Sequence, residues 1–510
     1  MLEEGLVMKV DFLSKAPVDA AVLVVFVADD RKLTGQAAAL DRASAGALSR
    51  ALAAPRFTGK HGQILDLLSP AGLKQRRLVI AGLGSPRELS VLGAREVGAA
   101  IGAHLQSEHE AKAVALVDLP EGMKLGEGSF AANLALGAKL RNYRFDKYRK
   151  TLPADEPKPM AALHIVTSAK AAARKTAQRL EAVGNGIALA RDLTNEPPIA
   201  LYPETFVARA KELSKLGVEV KALDEKDMAK LGMGGVLAVG NGSKRPPRLL
   251  VLRWNGTKGK KKSDGPVALV GKGVCFDSGG LCIKSGAQME TMKGDMAGGA
   301  AVVGTIRALA ERKAAVDVVG VVALVENMPS GTAFKPGDII TTMAGKTMEI
   351  FDTDAEGRVI LVDALWYTVQ TYKPRCVIDL ATLTYSVMQA LGKYFSGLFS
   401  NDDKLARDLT EAGQLVGERL WRLPLDPAYV QDLTSNIADL RQFAPDADKA
   451  DAAYAAALLH QFVDGHAWAH LDIAAKELIG KEKTLNPAGG TGYGVALLEQ
   501  FIASLEGVDA

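Results

Sequence analysis

Cysteine is scarce in this chain. Cys275, Cys282 and Cys376 are the only three in 510 residues, too few for a disulfide framework, and a reducing compartment is the expected setting. Long hydrophobic runs are missing as well. The longest, "AAVLVVFVA" at 20–28, falls well short of a bilayer span. Neither sign of charge dominates, with a net charge of +3 and no basic tail, which gives no reason to expect nucleic acid or an anionic membrane as a partner. The start, "MLEEGLVMKVDFL", has Glu3 and Glu4 where a secretory leader is basic, and it has no apolar core. A cytoplasmic protein is expected, with Met8 as a second candidate start. No internal repeat or low-complexity tract occurs.

Several catalytic signatures are absent too. There is no G-x-S-x-G to support a serine hydrolase. "AGKT" at 344–347 has Ile340 where a phosphate loop needs its first glycine, and "GLGSPR" at 82–87 lacks the last glycine of a dinucleotide fingerprint. "HAWAH" at 466–470 has no glutamate to complete a zinc-protease motif and runs into the alternating "HLDIA", so it reads as a strand with satisfied histidines. Cys275 and Cys282 read as small buried residues rather than thiol ligands.

What is present is an ordinary globular composition, 48% hydrophobic and 24% charged, in a chain long enough for roughly two to four domains. The pattern is α/β throughout. Strands are expected at "AVLVVFVA" (21–28), "RRLVIAGLG" (76–84), "AKAVALVDL" (111–119) and "ALHIVTS" (162–168). Four more are expected at "RLLVLRW" (248–254), "PVALVGKG" (266–273), "VDVVGVVALVEN" (316–327) and "RCVIDLATL" (375–383). "SAGALSRALAA" at 44–54 has helical spacing. The polar, Pro-rich "RFDKYRKTLPADEPKP" at 144–159 reads as a linker. A smaller N-terminal α/β domain is expected over 1–160, a linking helix region over 161–194, and a larger C-terminal mixed-sheet domain over 195–510. "NEPPIALYPETF" at 195–206, with three prolines, is expected to enter the second domain in extended form. "NGTKGKKKSDG" at 255–265 reads as a solvated basic loop.

The segment "EIFDTDAEGRVILVDAL" at 349–365 concentrates charge at the edge of a buried element. Asp352, Asp354 and Glu356 recur with period two, so on an extended segment they share one face. Taken alone, a D-x-E motif is better explained by a solvated acidic loop. Other segments add to it: "GKGVCFDSGGLCIKSG" (271–286) brings Lys272, Asp277 and Lys284, and "METMKGDMAGGAAVVGTIRALA" (289–310) brings Asp295 at the head of an apolar helix. At least four carboxylates are thus expected at strand and helix ends of one α/β domain, where such folds keep ligand crevices. Unpaired charge there is costly. Divalent cations are the natural counter-charge, and four carboxylates balance two of them.

"GKGVCFDSGG", "MKGDMAGGAA" and "DTDAEGRVIL" closely resemble, in order and spacing, the signature segments of the leucyl (cytosol) aminopeptidase family. The likeness extends through "NEPP…YPETF", "MPSGTAFKPGD", "ATLT", "GLFSNDD", "WRLPL" and "HLDIA", covering about 190–500, and "YRFDKY" at 143–148 resembles the end of the family's N-terminal domain. The resemblance implies a two-metal peptidase that removes the N-terminal residue, Leu-type preferred, from peptides. Asp277 and Glu356 would bridge two Mn²⁺ or Zn²⁺ ions, Asp354 would complete one site, and Lys272 and Asp295 the other. Lys272 would have to be a neutral amine. Lys284 would polarise the scissile carbonyl, Arg358 would hold a bicarbonate serving as general base, and Met292, Thr382 and Leu383 would line the substrate pocket. A homo-hexamer, a dimer of trimers, is also implied.

Two positions depart from that pattern. Asp352 stands where the family usually has Asn, adding a fifth carboxylate, and Tyr385 stands where it has Gly, placing a ring in the specificity subsite. A catalytically impaired structural or binding hexamer rests on these two departures alone, and the retained Lys284 and Arg358 oppose it. A DNA-binding accessory role is opposed by the near-neutral charge.

Overall fold

The computed structural model describes residues 8–257, 265–444 and 450–508, and the chain forms two compact units. Most of the expected basic loop, and the stretch just before Ala450, lie outside the described residues.

The first unit comprises residues up to Gly184 together with Lys481–Pro487. Its sheet is built from β1 (Lys9–Leu13), β2 (Val22–Val27), β3 (Ile64–Leu68), β4 (Arg77–Gly82), β5 (Lys112–Leu116) and β6 (Ala162–Val166), in the order β1-β6-β5-β2-β4-β3. All neighbours are parallel except β3, which runs against β4. A parallel sheet needs cover on both faces, and β2 shows how the sequence supplies it. Val22, Val24 and Phe26 pack into one core with the Val91–Ser107 and Glu127–Asn142 helices, while Leu23, Val25 and Val27 pack into another with Ala37, Leu48 and Leu52. The segment 161–194 contributes β6 to this sheet and then the Lys170–Asn195 helix, so its first part is a strand and not a connection.

The second unit comprises Asn185–Gly480 and the residues from Ala488 onward. Its main sheet draws on β7 (Glu219–Leu223), β8 (Arg248–Asn255), β9 (Val267–Asp277), β10 (Asp317–Asn327), β13 (Cys376–Ala381), β14 (Ser396–Ser400), β15 (Leu420–Arg422) and β17 (Trp468–Asp472). The order is β15-β14-β17-β13-β9-β10-β8-β7. The four central strands β17, β13, β9 and β10 are parallel, and antiparallel strands flank them, which makes the sheet mixed. A small sheet joins β11 (Ile339–Thr341), β12 (Thr347–Glu349) and β16 (Leu440–Arg441).

β9 and β10 are buried along almost their full length, as apolar runs covered on two faces must be. One irregularity matters: the pairing passes from Val274 opposite Val325 to Phe276 opposite Glu326, leaving Cys275 as an extra residue. This bulge brings Asp277 opposite Asn327 at the strand ends. The Ala297–Glu311 helix then presses its first turn onto β9 and β13. A Cβ on Gly298 would lie 2.1 Å from Leu380 O, so only glycine permits the approach.

Two local expectations are corrected. Residues 197–201 form a turn, and Pro203 then begins the Pro203–Lys211 helix, because proline's fixed φ suits the first helical position. Residues 352–355 are likewise a turn and Glu356 opens the Glu356–Tyr372 helix, so Asp352, Asp354 and Glu356 are gathered by a turn rather than by one face of a strand.

Gly298→Ala is expected to destabilise the second unit by about 1–3 kcal/mol, the usual cost of overpacking. A denaturant midpoint equal to that of the parent would show that the helix can back away without penalty.

Candidate metal centre and active site

Because β9, β10, β13 and β17 run parallel, their C-terminal ends share one edge of the sheet, and the chemistry-bearing residues collect there. Asp277 and Asn327 end β9 and β10. Thr382 follows β13, and Asp472 ends β17. Asp295 comes from the turn before the Ala297–Glu311 helix, and Glu356 and Arg358 from the first turn of the Glu356–Tyr372 helix.

The turn after β9 reverses sharply at Gly279 and Gly280, with φ of +84° and +64° that side chains rarely tolerate. This reversal returns Lys284 to Asp277. Its Nζ lies 2.9 Å from Asp277 Oδ2 and 2.5 Å from Asp354 Oδ1. Lys272, buried within β9, sits between a second pair, 2.9 Å from Asp295 Oδ1 and 2.8 Å from Glu356 Oε1, and donates to Thr382 O at 2.9 Å. Burial alone would lower the pKa of each lysine. For Lys272 the charges of Asp295, Glu356 and Asp277 outweigh it, and for Lys284 those of Asp277, Glu356 and Asp354, so both stand above the ordinary lysine value.

The carboxylates are still short of positive charge. Asp277, Asp295, Asp354 and Glu356 face two ammonium groups, a deficit of two before Asp352 is added. Burial, reinforced by neighbouring acids, raises the pKa of Asp295 and Glu356 and lifts Asp354 to about 7, against the pull of the lysines. Asp295 Oδ2 and Glu356 Oε2 are buried and receive no hydrogen bond from any described residue. Oxygens of Asp277, Asp354 and Glu356 lie within 4.8 Å of one another. Unpartnered buried oxygens around a shared point, with a charge deficit of two, are what a divalent-cation site requires, and the residues fit one.

A cavity of about 350 Å³ opens beside this cluster. It is lined by the charged residues Lys272, Asp277, Lys284, Asp295, Asp352, Asp354 and Arg358 together with Met292, Thr382, Leu383 and Tyr385. All but one of the expected site residues are therefore on one cavity wall. The exception, Glu356, reaches the cluster through Lys272. Tyr385 is 47% exposed at the start of a short helix, with Lys284 Nζ 5.7 Å from its ring centroid. Arg358 is buried and paired with Asp451, Nη2 to Oδ1 at 2.6 Å.

Sequence reading overlooked the residues that hold this arrangement. Asn327 donates to Asp277 Oδ1 (2.8 Å) and to Thr353 O (2.9 Å), tying the β9 end to the 352–355 turn. Gln442 donates to Asp352 O and Ala355 O and accepts from the Phe351 and Asp352 N–H groups, four bonds that fix the turn. Asp472 accepts from Leu383 N–H and Thr384 Oγ1. Asn327 could have been found as the polar residue ending an apolar strand, whereas Gln442 and Asp451 carry no local signal. The histidines of "HAWAH" are only in part as expected. His470 lies in β17 with Nδ1 2.6 Å from Asp379 Oδ1, but its Nε2 has no described partner, and His466 sits in a turn against Val463 O.

The chain matches two family models, the cytosol aminopeptidase family catalytic domain over 188–499 and its N-terminal domain over 24–151. It is 45% identical over 496 residues to a probable cytosol aminopeptidase of Rhodopseudomonas palustris, covering 97% of this chain and 98% of that one. It is 47% identical over 499 residues to a probable cytosol aminopeptidase of Afipia carboxidovorans, with the same coverage. Among solved structures it is similar to the bottromycin maturation enzyme BotP in complex with Mn (TM-score 0.82, 32% identity, 95% and 99% of the two chains). It is also similar to a mutant of tomato leucine aminopeptidase (TM-score 0.84, 30% identity, 98% and 96%).

Asp354, with its pKa raised to about 7, holds a proton at pH 6 in the cation-free protein, and a cation must expel it. Mn²⁺ affinity is therefore expected to rise between pH 6 and pH 8, with protons released on binding. Calorimetry in two buffers of different ionisation enthalpy checks both, and a pH-independent affinity would refute the assignment.

Proposed function

The chain belongs to the cytosol aminopeptidase family and is an aminopeptidase, and we propose that it removes N-terminal residues, Leu-type side chains first, from short peptides with two divalent cations, Mn²⁺ or Zn²⁺. The observation that carries this reading is the set of carboxylates gathered at one cavity: with Lys272 neutral, Asp277, Asp295, Asp352, Asp354 and Glu356 are opposed by Lys284 alone, a deficit that two divalent cations would meet. Asp277 and Glu356 would be shared by the cations, with Asp354 completing one site and Lys272 and Asp295 the other. Lys272 would give up its proton and join as a neutral amine. The cations would supply an acidified water at neutral pH and a Lewis acid for the substrate.

The remaining steps would fall to the chain's own side chains. Lys284, freed from the carboxylates it now neutralises, would donate to the scissile carbonyl oxygen and hold the negative charge that develops there. The substrate's free α-amine would be held, as a neutral amine, at the cation-loaded cluster, which restricts cleavage to the chain end. The apolar lining residues Met292, Leu383 and Met388 would take one aliphatic side chain, and the Tyr385 ring would narrow that subsite. Loss of catalysis on the same scaffold is not favoured, since the four acids and both lysines are present and assembled. No described helix is long and apolar enough to cross a membrane. Cytoplasmic location and a homo-hexamer are inferred from family likeness, and sedimentation at six times the chain mass tests the latter.

Leucyl p-nitroanilide is expected to be cleaved with Mn²⁺, not after chelation, and again when metal is restored; a rate indifferent to chelation would rule out a metal-dependent peptidase. Lys284→Ala is expected to lower kcat ~10²–10³-fold with metal content unchanged, the range for losing one oxyanion donor. Tyr385→Gly should shift kcat/KM from Leu toward larger aromatic residues, and an unaltered preference would place the ring outside the subsite.

A further inference from the structure

We infer that Asp451 is the proton acceptor of the hydrolysis, a built-in carboxylate occupying the place on Arg358 that a free bicarbonate would otherwise take. This rests on the aminopeptidase reading above. Arg358 is 1% exposed, and its Nη2 is already engaged by a carboxylate, while its buried Nε has no partner among the described residues. Asp451 Oδ1 lies 2.6 Å from Nη2, Gln442 O is 3.5 Å from Nη1, and the Phe443 ring centroid is 5.2 Å from Cζ. A second anion on the same fork would lie against the Asp451 carboxylate and meet its repulsion. Bicarbonate therefore does not fit the site as this chain builds it.

Asp451 is placed for the task. It borders the same cavity as Lys272, Asp277, Lys284, Asp295 and Asp354, and its side chain is 16% exposed. It is the first residue of the Asp451–His460 helix, where the helix dipole favours a negative charge. Ala452 N–H donates to Ser386 Oγ at 2.7 Å, which fixes that helix start against the cavity wall. With Oδ1 bound to Arg358, Oδ2 receives no hydrogen bond from any described residue.

The other cavity acids outside the proposed ligand set are less suited. Asp352 uses Oδ1 to accept from Asp354 N–H at 2.8 Å. Glu477 has no guanidinium beside it, and burial raises its pKa, which favours the protonated form.

Asp451 accepts one proton from the attacking water as the water oxygen bonds to the scissile carbonyl carbon. The carboxyl then returns that proton to the departing nitrogen as the C–N bond breaks. The second water proton leaves with the product carboxyl group, and Arg358 keeps its charge throughout. A tethered base of this kind makes the reaction independent of dissolved carbon dioxide.

The full-length protein, loaded with Mn²⁺, is assayed in bicarbonate-depleted and bicarbonate-saturated buffer. The parent rate is expected to be the same in both. Asp451→Ala should lose ~10²-fold in kcat, within the range for a general base, with KM little changed, and bicarbonate should restore about tenfold. Asp451→Asn should lose as much and not recover, because the amide still fills the place. Glu477→Gln should keep its rate. Binding is read separately, by line broadening of ¹³C-bicarbonate, which should be absent with the parent and present with Asp451→Ala. Parent activity that rises with bicarbonate, a fully active Asp451→Ala, or loss confined to Glu477→Gln would overturn the inference. A parent inactive on every N-terminal residue would instead overturn the aminopeptidase reading, and the ¹³C experiment would still decide who occupies Arg358.

Discussion

Negative charge held out of water without enough positive charge to match it is the constraint around which the second unit is organised. Carboxylates cannot be taken into an apolar sheet edge without counter-charge, and two lysines meet only half of the need. The deficit makes the site a cation receptor, and burial, reinforced by the neighbouring acids, keeps the pKa of Asp354, Asp295 and Glu356 above the usual carboxylate range. The rest of the local structure serves to bring those groups close and prevent them from separating.

That work is done by the backbone as much as by side chains. The bulge at Cys275 sets Asp277 against Asn327, glycines at 279 and 280 turn Lys284 back, and Gly298 admits the helix whose preceding turn carries Asp295. Gln442 uses both ends of its amide to fix the 352–355 turn. Each device is a hydrogen bond or a close approach that would fail with one added atom. The precision of a metal centre depends on such supports as much as on its ligands.

Arg358 illustrates how the fold sets the partner of a charged group. A guanidinium on the first turn of a helix binds any planar two-oxygen anion, free or tethered. Here the nearest such anion belongs to the chain itself, from a segment 93 residues away in sequence. The same cavity is lined by Asp352, which adds charge beside the cluster, and by the Tyr385 ring, which lies near Lys284.

The α/β alternation and the strand positions were legible because apolar runs of the right length must be buried, and burial on two faces leaves a continuous pattern such as that of β9 and β10. The acids and lysines were legible because clustered charge beside such runs needs an explanation. The period-two reading grouped Asp352, Asp354 and Glu356 on a strand face, whereas a turn leading into a helix gathers them, since such a turn can bring alternate residues together as a strand does. Gln442, Asp451 and Asp472 could not be read locally, because their roles consist of contacts to segments more than 80 residues distant. The sequence by itself determined which charges the molecule must bury. Only the tertiary structure decided which anion meets which cation, because that pairing follows from the folded path of the chain and leaves no periodic trace along it.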